Sequence, residues 1–474
     1  MNKRDLKFGG GKVKNTGKAL ISVFIIAAFT FAAPFASAAG APEYKQEDKQ
    51  EYKIDGPDKP IKPMRQKDDA IREGEQLTLL RCIEIAVKNQ PNVMAATNTA
   101  YAVESRVGQA EANYYPRVDL SSGYTRTSPA SGSTNSFAGA GAFDQYTASA
   151  ALRQNIYDFG KTSSKVGVER HNMDASRADI ENVLIQVVFN VKQAYYTLLQ
   201  NIRNRDVARE TVGQFKAHLE QARGFYEAGT KPKFDVTKAE VDLSNARVNL
   251  IKAENAVKIA KVNLNNAMGV PNAPEYSVED SLQFEKYEIT LEDAMARAFD
   301  ARPDIKSIIS RKKSAQKSLA LSESGYYPAI TGNAEYNWAG EEFPLQDGWN
   351  VGATVVFPLF SGFLTKYQVR ESRANIDVTS ANEELLRQNV ISEVEQAYLF
   401  LKEAQETVPA AELALKQAGE NLEIANGRYS AGVGNPIEVT DAQVLYSNAR
   451  TAFIQSLSDY NIARASLEKA MGGR

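Results

Sequence analysis

The chain is written twice. Thr78-Leu79 recurs as Thr290-Leu291, Pro91-Asn92 as Pro303-Asp304, and Tyr114-Tyr115-Pro116 as Tyr326-Tyr327-Pro328, all at an offset of 212 residues. Further along, Gln193-Ala194-Tyr195 recurs as Gln396-Ala397-Tyr398, Tyr226-Glu227-Ala228-Gly229 as Tyr429-Ser430-Ala431-Gly432, Asn245-Ala246-Arg247 as Asn448-Ala449-Arg450, and Ala267-Met268-Gly269 as Ala470-Met471-Gly472, now at an offset of 203. The difference falls in the Gly/Ser-rich segment Ser128–Ala142, longer than its counterpart near Gly340–Gly348. One insertion in one loop accounts for both offsets. A length of 474 residues alone suggests two or three domains; the repeat makes it two copies of one unit, residues 77–269 and 289–472, joined by a linker at 270–288.

Within each copy the hydrophobic period changes. From Val236 the small and apolar positions fall at Ala239, Leu243, Ala246, Leu250, Ala253, Val257, Ala260, Leu264 and Ala267, alternating steps of three and four. That is a heptad seam, and Val439–Ala470 repeats it. Upstream, Ile180, Leu184, Val187, Val191, Ala194 and Leu198 keep the spacing, which resumes from Ala208 to Tyr226. No proline interrupts residues 160–230, so one helix of about 65 residues, roughly 100 Å long, is expected there. Gly229 with Pro232, and Gly432 with Pro436, end the outgoing helices and start their return. The hairpin tips are expected near 227–235 and 430–438.

The other period is two. Val118, Leu120 and Tyr124 alternate with Asp119, Ser121 and Thr125; Ile330, Ala334, Tyr336 and Trp338 alternate with Thr331, Asn333, Glu335 and Asn337. Returning segments show Tyr146, Ala148, Ala150, Leu152 and Trp349, Val351, Ala353, Val355, Phe357. The expected strand pairs are 117–126 with 143–156, and 329–338 with 349–359. Alternating segments of about ten residues with aromatics at their ends mark a membrane β-barrel; a soluble sandwich hairpin is the plainer alternative. Tyr124, Tyr146, Trp338 and Trp349 would form its aromatic girdle.

Composition supplies the compartment. Residues 1–18 are basic, Ala19–Ala33 is an unbroken apolar run, and Ala36-Ser37-Ala38 has the small-residue spacing of a cleavage site. This reads as a secretory signal peptide over 1–38. Fifteen residues at 1.5 Å reach only about 22 Å, short of a membrane span. No cysteine directly follows the run, which argues against a lipoprotein anchor. Residues 39–76 are polar, with ten acids and eight bases between Ala41 and Glu75, and read as a disordered tail. No later stretch is apolar for eighteen residues, so no transmembrane helix is expected.

Of the 56 bases, six lie in the signal, opposed there by one of the 58 acids. The remainder is acidic without a basic tract, a poor partner for nucleic acid. His171, His218 and the single Cys82 leave little for a metal or haem site and none for an intrachain disulfide. Cys82 reads as a buried small apolar residue and the histidines as exposed helix positions. No convergent polar cluster suggests an enzyme or a cofactor. Gly9-Gly10-Gly11-Lys12 lacks the strand and the following Ser/Thr of a phosphate loop.

Four strands cannot close a barrel, and open edges are not tolerated in lipid. Closure takes about eight strands or more, so several chains must share one barrel, as dimer, trimer or tetramer. The long helices would continue from those strands.

With these features the chain resembles an outer-membrane efflux protein of the TolC family. The resemblance spans about residues 77–472. It rests on the duplication, the Tyr-Tyr-Pro motifs, Gln154-Asn155-Ile156-Tyr157-Asp158, Phe357-Pro358-Leu359-Phe360-Ser361, and the two Tyr-x-Ala-Gly tips. It implies an α+β membrane protein: a homotrimer with a 12-stranded outer-membrane β-barrel in lipid and a periplasmic α-helical barrel. It implies export, either efflux or type I secretion, with a periplasmic adaptor and an inner-membrane transporter as partners and no cofactor. Carried over residue by residue, the tips Ala228, Gly229, Thr230 and Ala431, Gly432, Val433 contact the adaptor. Glu438 and Asp441 form a pore selectivity ring, and Asp235 with Tyr429 forms a gate latch. At Gly434 the family's best-known member carries a gate-locking arginine, so a different lock is expected here. The plainer reading of Glu438 and Asp441 is as acids favouring a helix N-terminus. The rival function is the periplasmic coiled-coil adaptor of such a pump, which would show one helical hairpin and no paired amphipathic strands.

Overall fold

The computed structural model describes residues 71–128 and 142–473. The signal peptide, most of the polar tail and most of the Ser128–Ala142 insertion lie outside the described residues.

In chain order the elements are β1 (Gln76–Leu77), α1 (Leu79–Asn89), α2 (Pro91–Glu111), β2 (Arg117–Thr127), β3 (Phe143–Tyr157), α3 (Lys161–Glu227), α4 (Lys233–Ala267), β4 (Ser277–Val278), α5 (Leu291–Ala301), α6 (Pro303–Glu323), β5 (Ala329–Gly340), β6 (Gln346–Val356), α7 (Leu364–Ser430) and α8 (Pro436–Ala470).

The repeated motifs sit where elements begin and end. Thr78 and Thr290 cap α1 and α5, their hydroxyls accepting from the backbone N–H of Arg81 and Asp293. Pro91 and Pro303 open α2 and α6, where a missing N–H costs nothing. Each Tyr-Tyr-Pro begins on the last residue of a single 3₁₀ turn, and its second tyrosine swings the chain into extended geometry. The Ala-Met-Gly motifs end α4 and α8. Gly269, at φ 73°, packs so tightly that a Cβ would lie 2.8 Å from the Asn89 carbonyl carbon, and a Cβ on Gly472 would lie 2.9 Å from Arg302 N. Only glycine lets the return helices end against the α1–α2 and α5–α6 corners.

The long helices α3 and α7 each have 67 residues, about 100 Å at 1.5 Å per residue. The 35-residue return helices α4 and α8 pack on their far halves, while α2 and α6 pack beside their near halves. α7 carries Pro409 in its interior, a position the repeat did not flag because the first copy has no proline there.

β2, β3, β5 and β6 form one antiparallel sheet in that order, with β2 and β6 as its edges. Register explains the alternation. Val118 faces Leu152, Leu120 faces Ala150 and Tyr124 faces Tyr146. Leu152 in turn faces Ala334, and Ala150 faces Tyr336; Tyr336 faces Trp349 and Ala334 faces Val351. Paired residues share a face, so these apolar side chains line one surface across all four strands. Asp119, Ser121, Ser149, Arg153, Asn333, Glu335 and Asn350 line the other. The last strand was expected to run to Leu359, but β6 stops at Val356. Pro358 has no N–H to give a ladder.

The main core lies where α1 and α5 cross the middle of the rods, around Cys82, Ile85, Tyr195, Leu199, Leu401 and Tyr460. Burial pushes the Cys82 thiol up to about 12. Here the expected end of the polar tail at residue 76 differs from the structure. Ile71 is buried, Gly74 donates its N–H to the Glu275 carbonyl at 2.8 Å, and β1 pairs in parallel with β4 of the linker. The Tyr195 hydroxyl donates across both, 2.6 Å from the Glu279 carbonyl and 3.3 Å from that of Leu77. Residues 71–76 therefore belong to the folded unit, held by Ile71, the short ladder and the ion pair of Glu75 with Arg81 at 3.5 Å.

Candidate functional site at the helical tips

Each hairpin turns through a glycine in the left-handed region, Gly229 at φ 69° and Gly432 at φ 82°. At the first tip the N–H of Thr230 reaches the Phe225 carbonyl and that of Gly229 the Tyr226 carbonyl. At the second, Val433 and Gly432 make the same bonds to Arg428 and Tyr429. This six-to-one, five-to-two pattern closes the helix end. It leaves Ala228, Gly229, Thr230, Ala431, Gly432 and Val433 exposed.

Beneath the turns the two copies differ. Tyr429 is 1% exposed, whereas its repeat partner Tyr226 is 46% exposed. Asp235 is buried, whereas its partner Glu438 is exposed. Tyr429 stands among Leu422, Ala425, Val439 and Ala442, with Phe225 of the first hairpin packed against that cluster. Phe225 meets the Tyr429 ring edge-on at 5.6 Å, and His218 meets it at 5.0 Å. The Tyr429 hydroxyl is buried without a hydrogen-bond partner among the described residues. Burial first, and the nearby Asp235 carboxylate second, push it above its ordinary value. Asp235 and Tyr429 are thus brought to one place, but no hydrogen bond joins them.

His218 corrects an expectation. It is buried rather than exposed, because residues 215, 218 and 222 follow the same three-four spacing as the seam and widen its stripe onto the second hairpin. Burial lowers its pKa, opposed by the charges of Asp242 and Asp235, with Lys238 acting in the same direction as burial.

Glu438 and Asp441 are both exposed on the first turns of α8, Glu438 lying 3.5 Å from the Arg428 guanidinium. The sequence reading missed Arg428, whose partner lies across the turn at no helical spacing. Gly434 also has a local reason. A Cβ there would lie 2.6 Å from Tyr429 N and 2.8 Å from the Arg428 carbonyl carbon, so the turn excludes any side chain.

At the opposite end of the rods, Tyr124 and Tyr146 touch at 5.2 Å and Tyr336 and Trp338 at 4.7 Å, while Trp349 is exposed. The strand–helix junctions carry a second aromatic set: Phe159 stacks on Tyr327 at 5.8 Å and Tyr157 meets Phe159 edge-on at 4.7 Å.

One amphipathic sheet running into two long helical hairpins defines a class of mainly helical proteins built like outer-membrane channels. The chain belongs to the outer membrane efflux protein family, whose model matches residues 82–270 and 294–473. It is 21% identical over 406 residues to the probable outer membrane lipoprotein SilC of Salmonella typhimurium, covering 83% of this chain and 85% of that one. It is 24% identical over 383 residues to the protein CyaE of Bordetella pertussis, covering 79% and 80%. Against the outer membrane protein TolC of Escherichia coli the identity is 20% over 422 residues, covering 83% and 82%. Among solved structures, the Campylobacter jejuni CmeC outer membrane channel superposes with a TM-score of 0.75 at 18% identity, covering 83% and 85% of the two chains. VceC of Vibrio cholerae gives 0.73 at 18% identity, covering 83% and 96%.

Proposed function

We propose that this protein is the outer-membrane exit duct of a tripartite export system. It would pass small molecules or secreted proteins from an inner-membrane transporter and its periplasmic adaptor to the outside. The observation that carries the reading is the sheet: four strands with one apolar face and two free edges, continuous with the helical rods. In lipid those edges require partner strands. Three copies would close a 12-stranded barrel. Exposed apolar residues support copies side by side along the helices, at multiples of seven residues: Val241 and Val248 on α4, Val378, Leu385, Leu399 and Leu413 on α7. Relatives named for efflux pumps and for toxin and drug export support export but not a choice of cargo. The adaptor reading is disfavoured by the second helical hairpin and by the amphipathic sheet.

In the assembly Glu438 and Asp441 would ring the tunnel at the tips, attracting cations, with Arg428 tempering Glu438. Asp235 and Tyr429 would hold the tips closed, and the exposed turns would meet the adaptor. Light scattering corrected for detergent should give three chains per particle, and planar bilayers should show conductance steps. A monodisperse monomer that inserts no channel would overturn the reading.

A further inference from the structure

We propose that His218 is a further residue of the tip closure, holding the two hairpins together when neutral and releasing them when protonated. The proposal adds a proton-sensitive member to the gate described above and depends on the exit-duct reading only for its effect on conductance.

His218 belongs to the first hairpin and Tyr429 to the second, and their ring contact at 5.0 Å is one of the side-chain contacts that bridge the hairpins near the tips. Both residues are buried. A neutral imidazole packs there as a flat, mostly apolar ring. An imidazolium would carry a full charge into a site that already buries one unpaired hydroxyl, and would need water to solvate it.

The surrounding charges must be weighed against that cost. On α4 the groups facing His218 are Asp235, Lys238 and Asp242. Asp242 is already engaged, accepting from Lys238 at 3.2 Å and from the Thr440 hydroxyl of α8 at 3.1 Å. On α7 the facing group is Tyr429, with Lys231 of the first turn 5.9 Å from the centre of its ring. Asp235 is the one carboxylate beside the pair with no ion-pair partner among the described residues, and Lys231 and Lys238 bring positive charge nearby. Burial outweighs the two acids, and the imidazole is held below its ordinary 6.5. Opened tips would expose it to water and restore the ordinary value. The closed form therefore binds fewer protons than the open one. Its stability is full above the ordinary imidazole range and is lost as the pH falls through 6.5 and below.

The test places spin labels at Thr230→Cys and Val433→Cys, exposed on the two turns, in the full-length protein. Cys82 is fully buried and its thiol is pushed up to about 12, so it stays unlabelled. Between pH 8 and pH 5.5 the shortest label-to-label distance should gain a longer population, which disappears on return to pH 8. In a His218→Phe background, and separately in His218→Gln, the distribution should be the same at both pH values. An unchanged distribution in the parent, or a full pH response retained in both variants, overturns the proposal. Bilayer conductance is recorded in parallel. A pH-dependent distance without any channel activity upholds His218 and counts against the exit duct. Channel activity with a pH-independent distance does the reverse.

Discussion

At Gly434 the conformational freedom of glycine is not the issue; the absence of a side chain is. Its φ is ordinary, but the Arg428–Tyr429 backbone occupies the space a Cβ would need. Gly434→Arg should therefore strain the second turn by about 1–3 kcal/mol, the usual cost of overpacking. Conductance in planar bilayers should rise relative to the parent, with Gly434→Ala moving the same way. A fall would mean that arginine can lock the tips here after all. The Arg428–Glu438 pair is half-exposed on both sides, so its worth to stability is under about 1 kcal/mol. In the proposed tunnel its electrostatic effect is the larger consequence. Arg428→Ala should raise cation-over-anion selectivity, and Glu438→Ala with Asp441→Ala should lower it and weaken block by multivalent cations. Reversal potentials in a salt gradient measure both, and unchanged selectivity in the double variant would reduce the acids to helix-start residues.

The elements carry their own test in the sheet. Val351 and Asn350 are neighbours on β6 but face opposite surfaces, Val351 opposite Ala334 and Asn350 opposite Glu335. A lysine on the lipid side of a barrel costs about 2–4 kcal/mol near the membrane midplane, and little on the lumen side. Val351→Lys should sharply reduce the folded fraction recovered in lipid vesicles, read by heat-modifiable gel migration, while Asn350→Lys should fold normally. Equal effects would mean that the apolar face is not a lipid face. Much of this element level was legible beforehand. Periods of two and of three-four separated strands from rods, and the glycines at the tips marked the turns. The boundaries were less legible where a single residue decides: Pro358 cuts β6 short, and Ile71 with β1 draws the end of the polar tail into the fold.

For the whole molecule, the parallel pairing of β1 with β4 and the Tyr195 bonds tie the residues before the first copy to the linker between copies. Deleting residues 41–70 should leave oligomer and conductance intact, because that stretch lacks apolar periodicity. Extending the deletion through Leu77, which is fully buried, should lower the thermal midpoint of the purified assembly. Circular dichroism at the helix minimum would follow both. Equal behaviour of the two deletions would show that the β1–β4 ladder adds nothing to the unit.

The sequence by itself determined the four long strands, the long helical hairpins and their order, because hydrophobic period, helix caps and turn glycines act over a few residues and repeat with the chain. It also determined which faces of the strands and helices are apolar. Only the tertiary structure decided how equivalent positions diverge. Tyr226 and Tyr429, or Asp235 and Glu438, occupy the same places in the repeat, yet one of each pair is buried and the other exposed. The first hairpin places Phe225 and His218 on the ring of Tyr429, and among the described residues no equivalent neighbour covers Tyr226. Burial depends on what packs against a residue from far along the chain, which local spacing does not encode.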